Sequence, residues 1–274
     1  MFDYKVIGLK TRLSGMIIAA FLCASCSTVS VTGRKQLNLV SNEDVLVSSF
    51  QQYDEYIKSA PVSKDKTRTA MVTKVGRRIA GAVEQYLKDN GMADQVSEYR
   101  WEFNLIADPT PNAFCMPGGK IVVYEGILPF TKDETGLAVV LGHEVAHAVA
   151  RHSNERMSQQ LLIAAGGEAV NAAVNNKSSI IKTIAPQIYG LGSQYAVMLP
   201  YSRSHEHEAD HIGLIFMAMA GYDPAAAEGF WTRMSQSGGA KTPQFMSTHP
   251  SDENRAAKIR SWLPEAKRYY KPAF

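Results

Sequence analysis

The sequence predicts an α+β fold, mostly helical, with one small β-sheet beside a buried central helix. Three observations predict it. Apolar residues recur at three- and four-residue steps over much of the chain, the spacing of amphipathic helices. Only two runs, residues 100–107 and 120–124, alternate or are continuously apolar and β-branched, as strands are. Residues 137–150 are apolar nearly all round, which marks a helix buried on every face.

The elements follow in order. Lys5, Lys10 and Arg12 form a basic start, and residues 15–25 an apolar run of eleven. That suits an export signal and falls short of the ~20 residues needed to span a bilayer. Ala24 and Ser25 before Cys26 resemble a lipobox, with Cys23 where leucine is more usual, so Cys26 is expected to carry lipid. In the lipoproteins that this start resembles, Ser27 after the cysteine, rather than Asp, would favour outer-membrane sorting. With Cys23 removed and Cys26 acylated, Cys115 is left without a disulfide partner and reads as a small buried apolar residue.

Residues 41–59 open with a Ser-x-x-Asp cap and read as the first helix. Val72, Val75, Ile79, Val83 and Leu87 mark the second, stopped by Gly91. Pro109, Pro111, Pro117, Gly118 and Gly119 punctuate the link between the two strands. Asp133 caps the buried helix, and residues 153 to about 174 continue as helix. Residues 175–200 read as a loop or lid. Helices follow over 205–220, stopped by Gly221, then 224–235 and 251–263.

The buried helix carries the chemistry. His143-Glu144-Val145-Ala146-His147 spells H-E-x-x-H. Positions i and i+4 share a helix face, so the two histidines can hold one metal ion, and Glu144 beside it can take a proton from water. Two histidines and a glutamate are costly in an apolar helix unless something pairs them. His207-Glu208-Ala209-Asp210-His211 repeats the spelling, but with a charged inner residue after a polar run. His143 and His147 are therefore the predicted pair. A catalytic zinc keeps three protein ligands and an open position. The third can come from residues 202–210, where Glu206 and Asp210 share a face. On that reading Glu206 binds the metal and Asp210 orients a ligand histidine. By spacing alone, His207 with His211 stays open.

Resemblance chooses between them. Leu141-Gly-His-Glu-Val-Ala-His147 and Ser202-Arg-Ser-His-Glu-His-Glu-Ala-Asp210 resemble the motifs of the M48 family of zinc metallopeptidases. Asn112-Ala-Phe-Cys-Met-Pro-Gly-Gly119 and Thr32-Gly-Arg-Lys-Gln-Leu37 agree, and the likeness spans about residues 30–260. It is nearest the periplasmic lipoprotein branch, of the LoiP and BepA type; His211 departs from an expected arginine. The resemblance implies a zincin, gluzincin-like domain holding one Zn2+ on His143, His147 and Glu206. Glu144 would be the general base and Asp210 the support behind a ligand. His249, in a His-Pro loop, becomes a candidate regulatory contact to the zinc. Arg203, His205 and His207 are candidates for oxyanion or supporting roles. The strand over 120–124 is expected to be an edge that pairs with extended substrate.

The expected organisation is a lipoprotein-type signal at 1–25, an anchored segment with the first helix at 26–66, the peptidase domain at 67–264 and a tail at 265–274. The expected function is zinc-dependent cleavage of unfolded or misassembled envelope proteins in a Gram-negative periplasm, lipid-anchored to the outer membrane. The alternative is an outer-membrane assembly chaperone with a self-occluded zinc site. The net charge of +3, of which residues 1–25 contribute +2, leaves no electrostatic case for nucleic acid. An apolar fraction of 45% is ordinary for a globular chain of 274 residues.

Overall fold

Caps written into the sequence start the helices. In the computed structural model, which describes residues 26–161, 202–236, 244–250 and 254–272, Ser41 accepts the Asp44 N–H at 3.2 Å and opens α1 (Asn42–Ser59). Asp65 accepts the Arg68 N–H at 2.9 Å and opens α2 (Lys66–Asp89). α2 buries Val72, Val75, Ile79, Val83 and Leu87 completely, and Gly91 at φ +74° turns the chain beyond it. The expected signal at 1–25 and the expected loop or lid at 175–200 lie outside the described residues.

Before α1 the chain forms a hairpin that periodicity does not reveal. β1 (Cys26–Thr28) pairs antiparallel with β2 (Lys35–Leu37), Cys26 opposite Leu37. After α2, β3 (Glu102–Ile106), β4 (Ala113–Met116) and β5 (Lys120–Tyr124) make one sheet in the order β3-β5-β4. β5 runs parallel to β3 and antiparallel to β4. Here the expectation for 120–124 needs correction. β5 has a hydrogen-bonded neighbour on each side and every residue buried, so it is central and cannot take a substrate strand. Its unbroken apolar run Ile121–Val122–Val123 is the pattern of a strand covered on both faces. β4 is the edge, paired among the described strands to β5 alone. The outer side of β3 is met by residues 61–63, through the bonds from Ser63 N–H to Leu105 O and Ala107 N–H to Pro61 O.

A short α3 (Leu128–Thr131) leads into α4 (Glu134–Val149), whose cap Asp133 accepts the Gly136 N–H at 2.8 Å. All of α4 from Gly136 to Val149 is buried, as its composition predicts. Arg151, at φ +55°, breaks the helix and starts α5, described over 152–161. The rest of the helix expected to run to about 174 lies outside the described residues. α6 (Arg203–Met219) is capped by Ser202. α7 (Ala226–Gln236), α8 (Gln244–Thr248) and α9 (Arg255–Tyr269) close the chain. α9 continues through Pro264, beyond the expected end at 263.

α4 and α6 meet backbone to backbone. A Cβ on Gly142 would lie 2.8 Å from Gly213 O, and one on Gly213 would lie 2.8 Å from His143 N. No side chain fits there without separating the helices. Gly213→Ala is expected to cost about 1–3 kcal/mol through overpacking. The check is the chemical-denaturation midpoint of the full chain; an unchanged midpoint would show that the crossing has room to spare.

Candidate metal centre

The close crossing sets His143 and His147, one turn apart on α4, against the first two turns of α6. Glu206 Oε2 lies 3.3 Å from His143 Nε2, and Glu206 Oε1 lies 3.4 Å from His147 Nε2. The two Nε2 atoms are 3.1 Å apart. His249, from the end of α8, completes the group, and one ligand atom from each of the four lies within 4.8 Å of the others. All four residues are buried. Glu206 thus faces the histidine pair. His207 turns toward Lys258 and Trp262 on α9, and His211 stacks on Trp262 with its ring centroid at 5.2 Å. That geometry removes the alternative left open by the second H-E-x-x-H spelling.

Each histidine of the pair has a polar partner behind it. His143 Nδ1 is 3.0 Å from Asp210 Oδ1. Asp210 in turn accepts from Arg255 Nε at 2.7 Å and from Nη2 at 2.8 Å, a two-pronged ion pair. Burial works to raise the Asp210 pKa; the charges of Arg255 and His143 outweigh it and hold the carboxyl below its ordinary value. Arg255 was not among the residues predicted from sequence. It lies forty-five positions from Asp210 on another helix, and no spacing rule connects them. Its guanidinium also lies over the Trp231 ring, 3.2 Å from the centroid.

His147 Nδ1 is 2.8 Å from His152 Nδ1, a second contact missed in sequence because it depends on the positive φ at Arg151. Burial drives the pKa of His147 well below its ordinary value. It pulls His152 down to about 4, so both rings stay neutral near pH 7. For Glu206, burial works to raise the pKa, and the His249 and His143 rings beside it outweigh that, leaving the carboxyl well below its usual range.

Glu144 sits on the same helix with its carboxylate toward β4. Burial pushes its pKa up to about 7; His249, the Cys115 backbone N–H and Arg255 pull the other way, while Glu206 adds to the rise. A carboxyl poised near neutrality suits proton transfer. Cys115 is buried in edge strand β4, and the position of its N–H brings that edge to Glu144. His249 is fully buried, with Nδ1 3.2 Å from Glu206 Oε1 and Nε2 3.3 Å from Glu144 Oε1. Its backbone N–H bonds to Phe245 O at 2.9 Å, so α8 fixes its place.

The three remaining candidates separate. Arg203 is exposed in the first turn of α6. His205 is buried, bonded to Glu155 at 2.9 Å and stacked on His152 with ring centroids 4.3 Å apart. Its surroundings are a supporting layer behind His147. His207 faces α9, on the side of α6 away from the pair, which does not suit an oxyanion role.

The donor chemistry fits a divalent cation. Two neutral-capable imidazoles and a carboxylate converge in a site closed to solvent, a donor set that zinc takes. Oxygens Glu144 Oε1 and Glu206 Oε2 are buried with no hydrogen-bond partner of good geometry, a cost that a cation removes.

Comparison with known proteins agrees. The profile of peptidase family M48 matches residues 74–263. The mitochondrial metalloendopeptidase OMA1 of Schizosaccharomyces pombe is 44% identical over 186 residues, covering 67% of this chain and 53% of that protein. OMA1 of Homo sapiens is 29% identical over 262 residues, covering 92% and 48%. A beta-barrel assembly-enhancing protease of Yersinia pestis is 24% identical over 272 residues, covering 92% and 52%. The chain spans about half the length of these relatives. The expected placement in a Gram-negative periplasm, anchored to the outer membrane, is overturned: the relatives at 44, 38 and 34% identity are all named mitochondrial. A basic, acid-poor start with a short apolar run belongs to several targeting segments, so it does not single out the periplasm. The family, in contrast, rests on a match across most of the chain: this protein belongs to peptidase family M48.

Proposed function

We propose that the chain is a zinc-dependent endopeptidase acting on unfolded or misassembled polypeptides held in extended form, with residues 67–264 as the peptidase unit. The observation that carries this reading is the convergence of His143, His147 and Glu206 in a solvent-closed site beside Glu144. Those three would hold one Zn2+. The metal's contribution there is Lewis-acid polarisation of a peptide carbonyl and a lowered pKa, toward ~7, for water it binds. Glu144 takes the proton of the attacking water and delivers it to the leaving amine nitrogen. Asp210 holds His143 in the tautomer that leaves Nε2 bare, and Arg255 holds Asp210.

Substrate selection follows from β4. Main-chain hydrogen bonds to an edge strand hold any extended segment with little preference for its side chains. The proximity of Cys115 N–H to Glu144 supports β4 as that edge, since a peptide laid along it reaches the general base. The mitochondrial names of the relatives at higher identity favour a mitochondrial setting over a periplasmic one.

One observation favours a second reading, of a latent protein that holds client chains without cutting them. His249 lies between Glu144 and Glu206, where the attacking water would need to stand. In that state the ring shields the general base, and activity requires α8 to shift.

Two measurements test these readings. Glu144→Gln is expected to bind zinc as the wild type does and to lose cleavage of an unfolded casein-type substrate by at least ~100-fold, the size of a general-base contribution; wild-type turnover in that variant would refute the assignment. His249→Ala is expected to cleave faster than wild type, and equal or slower turnover sinks the latent reading.

A further inference from the structure

The loop between β1 and β2 reaches into a polar cluster that the proposed chemistry leaves unused. Arg34 donates from Nε to Glu208 Oε2 at 2.7 Å and from Nη2 to Glu155 Oε2 at 2.8 Å. Its Nη1 adds a bond to Glu155 Oε1 at 3.2 Å. The Thr32 hydroxyl donates to Glu208 Oε1. Glu208 stands on α6 between Glu206 and Asp210, turned to a different face. Its Oε2 is 2.9 Å from His152 Nε2, and His152 Nδ1 is 2.8 Å from His147 Nδ1.

The proton positions in this chain of contacts are fixed at one end. An ionised carboxylate only accepts, so His152 Nε2 carries a hydrogen toward Glu208. Across the 2.8 Å contact between the two Nδ1 atoms only one can donate, and a His147 that offers Nε2 to a metal carries its hydrogen on Nδ1, so His152 Nδ1 accepts. His147 Nε2 is left with its lone pair, facing His143 and Glu206. The arrangement repeats, with one extra imidazole, what Arg255 and Asp210 do for His143.

We propose that Arg34 is a positioning residue for His147, acting through Glu208 and His152, so that the N-terminal hairpin sets the tautomer and orientation of a metal ligand. The hairpin lies outside the family-matched segment 74–263. The guanidinium is suited to the task because its planar fork holds Glu208 and Glu155 together, one on α6 and one on α5, whereas an ammonium is a single point charge. The proposal rests on the reading of His143, His147 and Glu206 as the metal site.

The test is metal affinity, not turnover. Full-length chain is stripped of metal, and Zn2+ binding is measured by competition with a chromophoric chelator. The set comprises wild type, Arg34→Ala, His152→Ala and the double variant, with Co2+ absorption as a report on ligand geometry. Arg34→Ala is expected to weaken Zn2+ binding roughly 10–100-fold, the usual size for a group behind a ligand, and to shift the Co2+ bands. In the His152→Ala background the same change is expected to cost less than about threefold, because the connection to His147 is already cut. Unchanged affinity in Arg34→Ala overturns the proposal, and so does an equal loss in both backgrounds, which marks a merely structural role. Should Arg34→Ala fail to fold by circular dichroism, Arg34→Lys takes its place under the same criteria; a loss is expected because the fork is gone, and a smaller one because the positive charge stays. A wild type that binds no Zn2+ overturns the metal-site reading itself, an outcome distinct from a wild type that binds it and an Arg34 variant that is unaffected.

Discussion

The contact on which the site depends is the crossing of α4 and α6 at Gly142 and Gly213. Helix axes normally stand apart by the thickness of two layers of side chains. Here each glycine faces the backbone of the other helix, so that layer is absent. His143 follows Gly142 directly, and Asp210 and Glu206 precede Gly213 by about one and two turns. The short side chains of Asp210 and Glu206 therefore reach across to imidazoles on the facing helix. The candidate metal donors on α4 and α6 are held by secondary structure rather than by loops, which keeps their geometry within the narrow tolerance a metal site needs.

That rigidity has an electrostatic cost, which the surrounding residues offset. Glu144, Glu206 and Asp210 are all buried, and Arg255 is the buried cation that touches both Asp210 and Glu206. Breaking a buried pair by removing one partner strands the other, at roughly 3–5 kcal/mol. The rise of Glu144 to about 7 expresses the same imbalance: burial and the neighbouring Glu206 disfavour a further negative charge. A cation held by the histidines and Glu206 moves that balance the other way, toward the ionised form that a general base needs.

Much of this was legible in the sequence. Caps at Ser41 and Asp133 announce their helices because a side-chain oxygen replaces a missing backbone acceptor, a local event. The apolar run around His143 announces a buried helix for the same reason that it is buried. What escaped is non-local. Arg255 meets Asp210 only after α9 docks on α6, and His152 meets His147 only through the left-handed turn at Arg151, a conformation that an arginine does not advertise. The continuous apolar run of β5 is the signature of a central strand; the expectation of an edge came instead from the family resemblance. The last helix was expected to end at 263, yet α9 runs on through Pro264, with Ala266 packed in the core on the far side.

The two layers behind the histidines also explain why the second H-E-x-x-H spelling is present without joining the group that could hold a metal. Its five residues are divided by helical phase. Ala209 packs in the core, and Asp210 stands behind His143. Glu208 stands behind His152 and so behind His147. His207 and His211 fall on the outer face against α9, where Trp262 and Glu265 take them up. Glu206, one residue before the spelling begins, is the one aimed between the imidazoles. A hundred degrees of rotation per residue therefore gives neighbouring positions separate tasks. The carboxylates fall on the faces that meet α4 and α5, and the histidines on the face that meets a helix arriving later in the chain.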